Sequence, residues 1–342
     1  MELTYVRGHL VIVGTNRADQ IHVDSVSVVL DGKSLELPIS RRPLRTVYVD
    51  ARGGDDNVGC DTSITLGQYP ATLLGGSGND RLHGGTTLSL TDGGGGNDII
   101  SGQDTLIGGD GNDRITSSDG AREGGGDTGD DLIQAGEGDD TIVTAKGNDT
   151  ISGGSGNDII STSGQEDGPP SVGFFTTVDA GDGHDRVTLE RPANVTLGGG
   201  DDRLYFTSDE RSEFRAVIFG SADAGAGRDW IQVMPGAHVD RSRGFKFSGG
   251  DGADTLIGST GKDVISGDGG NDVIYGNSGN DSLYGGAGDD SLRGDRGSDR
   301  LDGEAGLDIL RTVDNFRDIL HGGEADGIDD VYEKDTLDQV SD

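Results

Sequence analysis

The chain has 342 residues, with 64 glycines, 7 prolines and a formal net charge of −35. Glycine at this density excludes a fold built on long helices, because each glycine in a helix interior costs roughly 0.5–1 kcal/mol relative to alanine. The acidic balance excludes nucleic acid and anionic membrane surfaces, whose binders need clustered Lys and Arg. It points instead to a hard cation as counter-ion, Ca²⁺ above all. Cys60 is the single cysteine, so no intramolecular disulfide can form. No stretch approaches the ~20 apolar residues of a membrane span.

Residues 1–70 contain short apolar runs, LTYV, HLVIVG, IHVD, VSVVL and TVYVD, which read as strands of an N-terminal capping segment. Such a cap covers strand edges that an open solenoid end would expose. The N-terminus lacks a basic region followed by a continuous apolar run, so no ordinary signal peptide is visible.

Residues 71–249 carry an interrupted motif. GGSGNDRLH places Asp80 at a recurring position, and GGGGNDIIS, GGDGNDRIT, AGEGDDTIV and GGSGNDIIS place Asp98, Asp113, Asp140 and Asp158 there. Shorter copies add Asp104, Asp131, Asp149, Asp185, Asp202 and Asp229. Many separations are multiples of nine, which predicts one continuous solenoid with insertions rather than several domains. Residues 162–178 and 206–221, with VGFFTTVD and EFRAVIFG, are predicted to form longer strands or excursions and wider rungs with an apolar core.

Residues 250–311 are regular. From Asp251 the chain reads DGADTLIGS, TGKDVISGD, GGNDVIYGN, SGNDSLYGG, AGDDSLRGD, RGSDRLDGE, AGLDILRTV. One aspartate recurs every nine residues: Asp254, Asp263, Asp272, Asp281, Asp290, Asp299 and Asp308. A glycine stands two residues before each and an aliphatic residue two residues after. Residues 312–342 leave this rhythm and are predicted to close the last rung as a C-terminal cap.

The consensus G-G-x-G-x-D-x-U-x, with U aliphatic, has a physical reading. The segment x-U-x is a very short strand whose U side chain points inward. The six residues before it turn the chain, and glycine suits them because such loops visit φ > 0 and pack closely. Two nonapeptides make one rung of 18 residues, so loops alternate between two edges. The spacing pairs Asp254, Asp272, Asp290 and Asp308 on one edge, and Asp263, Asp281 and Asp299 on the other. Carbonyls and carboxylates of successive loops then converge as hard oxygen donors, which predicts multiple Ca²⁺ ions. One buried aliphatic per nine ordered residues does not offset their conformational entropy, so metal binding must supply the difference.

These repeats resemble the repeat-in-toxin, or haemolysin-type, calcium-binding family. The resemblance implies an all-β, right-handed parallel β-helix or β-roll stapled by calcium. It also implies Ca²⁺-triggered folding after secretion to the cell exterior, often by the type I route.

Asn79, Asn97, Asn112, Asn157, Asn271 and Asn280, which precede ligand-position aspartates, read as turn stabilisers rather than ligands. None of the six histidines lies in a metal-ligand spacing, and no nucleophile elbow is present. The expected function is a secreted calcium-binding structural module, monomeric and without evident catalysis. Two alternatives stand beside it. One is an adhesin or matrix protein that binds extracellular polysaccharide or a cell surface, with Trp230, Phe174 and Phe175 as sugar-stacking candidates. The other is a polysaccharide-modifying enzyme on a β-helix, for which Arg203, Tyr205 and Arg211 could serve.

Overall fold

The computed structural model describes residues 1–6, 9–23, 27–30, 32–36, 45–60, 70–84, 90–102, 105–117, 130–144, 147–162, 175–207, 218–312, 314–323, 331–334 and 338–341. Every regular element among them is a β-strand. The chain forms two compact units, Met1–Ser161 and Thr162–Asp342.

The D-x-U pattern fixes the local structure of both. In the second unit, strands alternate between two parallel sheets. One holds short strands such as Thr255–Ile257, Val273–Tyr275 and Ser291–Arg293. Their register aligns Leu256 with Ile274, Ile274 with Leu292, and Leu292 with Leu310. The other sheet holds longer strands, among them Val264–Gly269, Ser282–Ala287 and Arg300–Ala305, aligning Ile265, Leu283 and Leu301. Each aligned residue lies 18 positions from the next, so two repeats make one rung.

The aliphatic residues point inward as the pattern requires. Leu256, Ile265, Ile274, Leu283, Leu292, Leu301 and Leu310 are all fully buried. A side chain of this kind contributes roughly 1.5–3 kcal/mol when removed from water.

The three-residue strand expected from each repeat holds for one sheet only. On the other, strands from Thr176–Asp182 to Arg300–Ala305 run six or seven residues, into the glycines of the following loop, before Ile319–His321 and Gln339–Ser341 return to three. Gly286 aligns with Asp268 and Glu304, and Ala287 with Gly269 and Ala305. The physical reason is that these glycines keep their amides in the inter-rung ladder while their φ reverses sign, as at Gly286 (111°). The loops bond to their neighbours as well, with the Gly288 N–H donating to the Ala305 carbonyl at 2.8 Å.

Thr176–Asp182, Ala193–Gly199, Gly220–Ala226 and Phe245–Asp251 are seven-residue strands in parallel register, of which only residues 176–178 and 220–221 fall in the stretches 162–178 and 206–221 where longer strands were expected. Phe206, Phe245 and Phe247 pack together inside, with ring centroids 4.7–5.9 Å apart. Residues 163–174 and 208–217, which include Phe174 and Arg211, lie outside the described residues.

The first unit repeats the architecture. One parallel sheet runs from His9–Val13 through Thr46–Asp50, Ala71–Ser77, Leu90–Gly95, Thr105–Asp110 and Leu132–Glu137 to Thr150–Ser155. The other runs from Gln20–Val23 through Asn57–Cys60, Arg81–His83, Ile99–Gly102 and Arg114–Ser117 to Thr141–Thr144. At its N-terminal end Glu2–Val6 pairs antiparallel with His9–Val13, and Ser27–Leu30 with Gln20–Val23. Lys33–Glu36 pairs antiparallel with Ser27–Leu30 in turn, so antiparallel strands extend both sheets at this end.

Candidate metal-binding columns

The aspartate that precedes each strand stands in a column. In the second unit the backbone N–H of Asp254 donates to Oδ1 of Asp272 at 2.8 Å, that of Asp272 to Asp290 at 2.7 Å, and that of Asp290 to Asp308 at 2.9 Å. The column continues upstream through Asp229, Asp202 and Asp185 by the same contact. These residues lead into the short strands. The residues that lead into the long strands form a second column, Asp263, Asp281 and Asp299, continued by Asp318 and Asp338.

In the first unit one column links Asp19, Asp56, Asp80, Asp98, Asp113, Asp140 and Asp158. A shorter one links Asp131 to Asp149 at 3.2 Å. The aspartates named from the sequence thus all stand in columns, except Asp104, which lies outside the described residues.

Asp19, Asp56, Asp318 and Asp338 were not singled out from the sequence. Each nonetheless has an aliphatic residue two positions on: Ile21, Val58, Leu320 and Val340. The D-x-U triplet was the readable signal; the glycine two residues upstream is absent at Asp19, Asp318 and Asp338, whereas Asp56 keeps it as Gly54.

Multiples of nine also prove too strict a rule. Successive column members lie 15 residues apart at Asp98–Asp113, 17 at Asp185–Asp202 and 25 at Asp229–Asp254. Strand pairing sets the register, and the intervening loop absorbs the difference.

The columns are buried and short of compensating donors. Oδ1 accepts the amide of the preceding rung, whereas Oδ2 of Asp254, Asp272, Asp281, Asp290 and Asp299 is buried with no hydrogen-bond partner among the described residues. The same holds for Asp80, Asp98, Asp113 and Asp140 in the first unit. A buried carboxylate oxygen left so is expensive unless a cation or a proton compensates it. Burial pushes these carboxyls up: Asp281 to about 8, Asp254 and Asp290 to about 7, Asp272 and Asp299 to about 6. The neighbouring column members add to the rise at Asp281, and the amide hydrogen bond opposes it.

A glycine stands five residues before each aspartate from Asp254 to Asp308, whereas Ala135, Ala180, Leu197 and Ala224 hold that position before Asp140, Asp185, Asp202 and Asp229. A Cβ on Gly285 would lie 2.5 Å from both Asp290 Oδ2 and the Gly303 carbonyl oxygen. One on Gly249 would lie 2.7 Å from Asp254 Oδ2 and 2.5 Å from the Gly267 carbonyl. A side chain at either position would meet these oxygens, so glycine there keeps open a cradle lined by a carboxylate and a carbonyl from the next rung.

Among the described residues no three His, Cys, Asp or Glu side chains gather at one point. Each step instead offers a carboxylate oxygen together with backbone carbonyls. An all-oxygen donor set of mixed charge suits a hard cation of flexible coordination such as Ca²⁺.

The residue before each aspartate forms an outer ladder of its own. Asn97 N–H donates to Asn79 Oδ1 at 2.7 Å, Asp289 N–H to Asn271 Oδ1 at 3.0 Å, and Ser298 N–H to Asn280 Oδ1 at 3.1 Å. Their side chains brace successive rungs, a longer-range role than the local turn support expected of them.

A family model of the RTX calcium-binding nonapeptide repeat matches in four copies, over residues 71–86, 125–160, 248–283 and 275–310. Among solved structures, a hyperactive, Ca²⁺-dependent, β-helical antifreeze protein from an Antarctic bacterium is similar over 92% of this chain and 87% of that one. The identity is 18% and the TM-score 0.50, a likeness of fold. A search of curated proteins finds no match. Among the described residues no helix is long and apolar enough to cross a membrane. The columns of aspartate and the cradles of glycine are the structural form of a known repeat: the chain carries the RTX calcium-binding nonapeptide repeat, in four copies over the residues matched.

Proposed function

We propose that this chain is a calcium-stapled β-roll that folds in calcium-rich surroundings outside the cell and acts there as a structural or secretion module. The observation that carries the reading is the column of buried carboxylate oxygens with no hydrogen-bond partner, typified by Asp272 and Asp290. Asp254, Asp272, Asp290 and Asp308 would hold ions between successive coils on one edge, and Asp263, Asp281 and Asp299 on the other, with loop carbonyls beside them. Bound calcium supplies positive charge where burial has made carboxylates costly. The first-unit column from Asp80 to Asp158 would do the same.

Because binding is confined to the folded state, its free energy becomes folding free energy. Extracellular calcium modules bind in the ~10⁻⁴–10⁻³ M range, so the chain stays extended in a calcium-poor cytosol and folds on export. Far-ultraviolet circular dichroism of the full chain, dialysed against chelator and then titrated with Ca²⁺, tests this. The β signal is expected to disappear and return, with several ions bound per chain by calorimetry. A β signal that survives exhaustive chelation, or a chain that binds no Ca²⁺, overturns the proposal.

A further inference from the structure

The outward side chains of the short-strand sheet in the second unit stand one and three residues after each column aspartate, from Arg186 to Arg311. Among the described residues none of these positions holds Asp or Glu, in a chain with 62 acidic residues, and the first acidic residue in this register is Glu333, aligned with Arg311 in the following strand. The low strand propensity of acidic residues does not account for this. The outward positions of the long-strand sheet of the same unit hold Asp179, Asp223 and Asp302.

Three successive short strands carry the feature furthest. Arg186 stands opposite Arg203, and Arg203 opposite Trp230. Both arginines are exposed, and neither forms an ion pair with a described residue. Like charges directly opposite on neighbouring strands, ~4.8 Å apart, repel.

Around this pair the surface is aromatic. The Arg186 guanidinium lies 5.6 Å from the ring centroid of Tyr205. Trp230 is 38% exposed, and its Nε1–H donates to Gln232 Oε1 at 3.2 Å, which ties the indole to a residue two positions further along the same face. Two adjacent guanidinium forks match carboxylate or sulfate groups, and an exposed indole gives a sugar ring a surface to lie on.

We infer that Arg186, Arg203, Tyr205 and Trp230 form a docking strip for an anionic polysaccharide, whose acidic groups bridge the two guanidinium groups while a ring stacks on Trp230. A flat sheet face suits an extended chain better than an enclosed small molecule. A glycan with one charge per sugar also fits this chain better than nucleic acid. The latter carries a charge every ~1.7 Å of duplex and would meet repulsion from a molecule of net charge −35.

Trp230 is the only tryptophan, so its fluorescence reports on the strip alone. The full calcium-loaded chain is titrated with trigalacturonate, with its neutral methyl ester, with a sulfated oligosaccharide of similar length and with a short single-stranded oligonucleotide. Trigalacturonate or the sulfated sugar is expected to shift Trp230 emission, and these two arms separate a carboxylate from a sulfate source of charge. The methyl ester and the oligonucleotide are expected to leave the emission unchanged. In the R186S/R203S variant the affinity is expected to fall about tenfold, with calcium-dependent circular dichroism retained. The inference is overturned if neither acidic sugar shifts the emission, if the methyl ester binds as well, if the oligonucleotide binds in preference, or if the double variant binds like the parent. The ester comparison uses the parent chain, so it decides the matter even if the variant fails to fold.

Discussion

The Asp272 amide donates to Oδ1 of Asp290 at 2.7 Å, and Oδ2 of the same Asp290 is buried with no hydrogen-bond partner among the described residues. One oxygen of the carboxylate therefore fixes the stacking of coils, while the other faces only neighbouring protein. The two roles can be separated by chemistry, because asparagine keeps the first oxygen and replaces the second with an amide.

Asp290→Asn is expected to affect the two states of the chain in opposite directions. With saturating Ca²⁺ it should lower stability by about 2–3 kcal/mol, the linkage contribution of a site at ~100-fold its Kd. With chelator it should be neutral or stabilising, since it removes a buried charge. Thermal melts in both conditions, with calorimetric ion counts, check the reversal. Equal destabilisation in both would mean that Asp290 acts only through its hydrogen bond.

Gly285→Ala is expected to displace Asp290 Oδ2 and the Gly303 carbonyl, because the added Cβ would sit 2.5 Å from each. A loss of about 2–4 kcal/mol in the calcium-loaded form should follow, as for other overpacked or broken buried polar sites. Gly95→Ala is the matched control: nothing lies within 4 Å of its Cβ position, and the change should stay within about 0.5 kcal/mol.

Glu304 occupies the loop position aligned with Gly286 and adopts φ 66°. A left-handed conformation costs a residue with a Cβ about 1 kcal/mol, and Glu304 is exposed with little packing to lose. Glu304→Gly should raise the unfolding free energy of the calcium-loaded chain by up to roughly that amount, read as a higher midpoint at unchanged slope in a urea titration.

The buried columns also set a pH dependence. Asp281 is pushed up to about 8 and Asp254 to about 7 by burial, from an ordinary value of 3.8. Between those limits the folded metal-free chain binds more protons than the unfolded chain, so its stability falls as pH rises. Chelated protein should therefore gain β structure as pH is lowered from 8 to 5. Calcium affinity should move the other way, because protons compete for the same carboxylates. Circular dichroism and calcium titrations across that range check both signs.

The nine-residue spacing from Asp254 to Asp308 was enough to read an all-β solenoid, its inward aliphatic residues and the pairing of aspartates on two edges. The reason is physical: a two-residue period within the strand and an 18-residue rung leave one arrangement in which every U side chain is buried. Where insertions break the spacing, as between Asp98 and Asp113 or Asp229 and Asp254, only strand pairing brings the residues into one column. Asp19, Asp56, Asp318 and Asp338 joined the columns in the same way, each marked in the sequence only by the aliphatic residue two positions on. Sequence alone likewise determined which residues flank each aspartate. The tertiary structure decided that Arg186, Arg203 and Trp230, separated along the chain by loops of unequal length, stand side by side on one sheet face, because parallel strands align by hydrogen bonding and burial rather than by count.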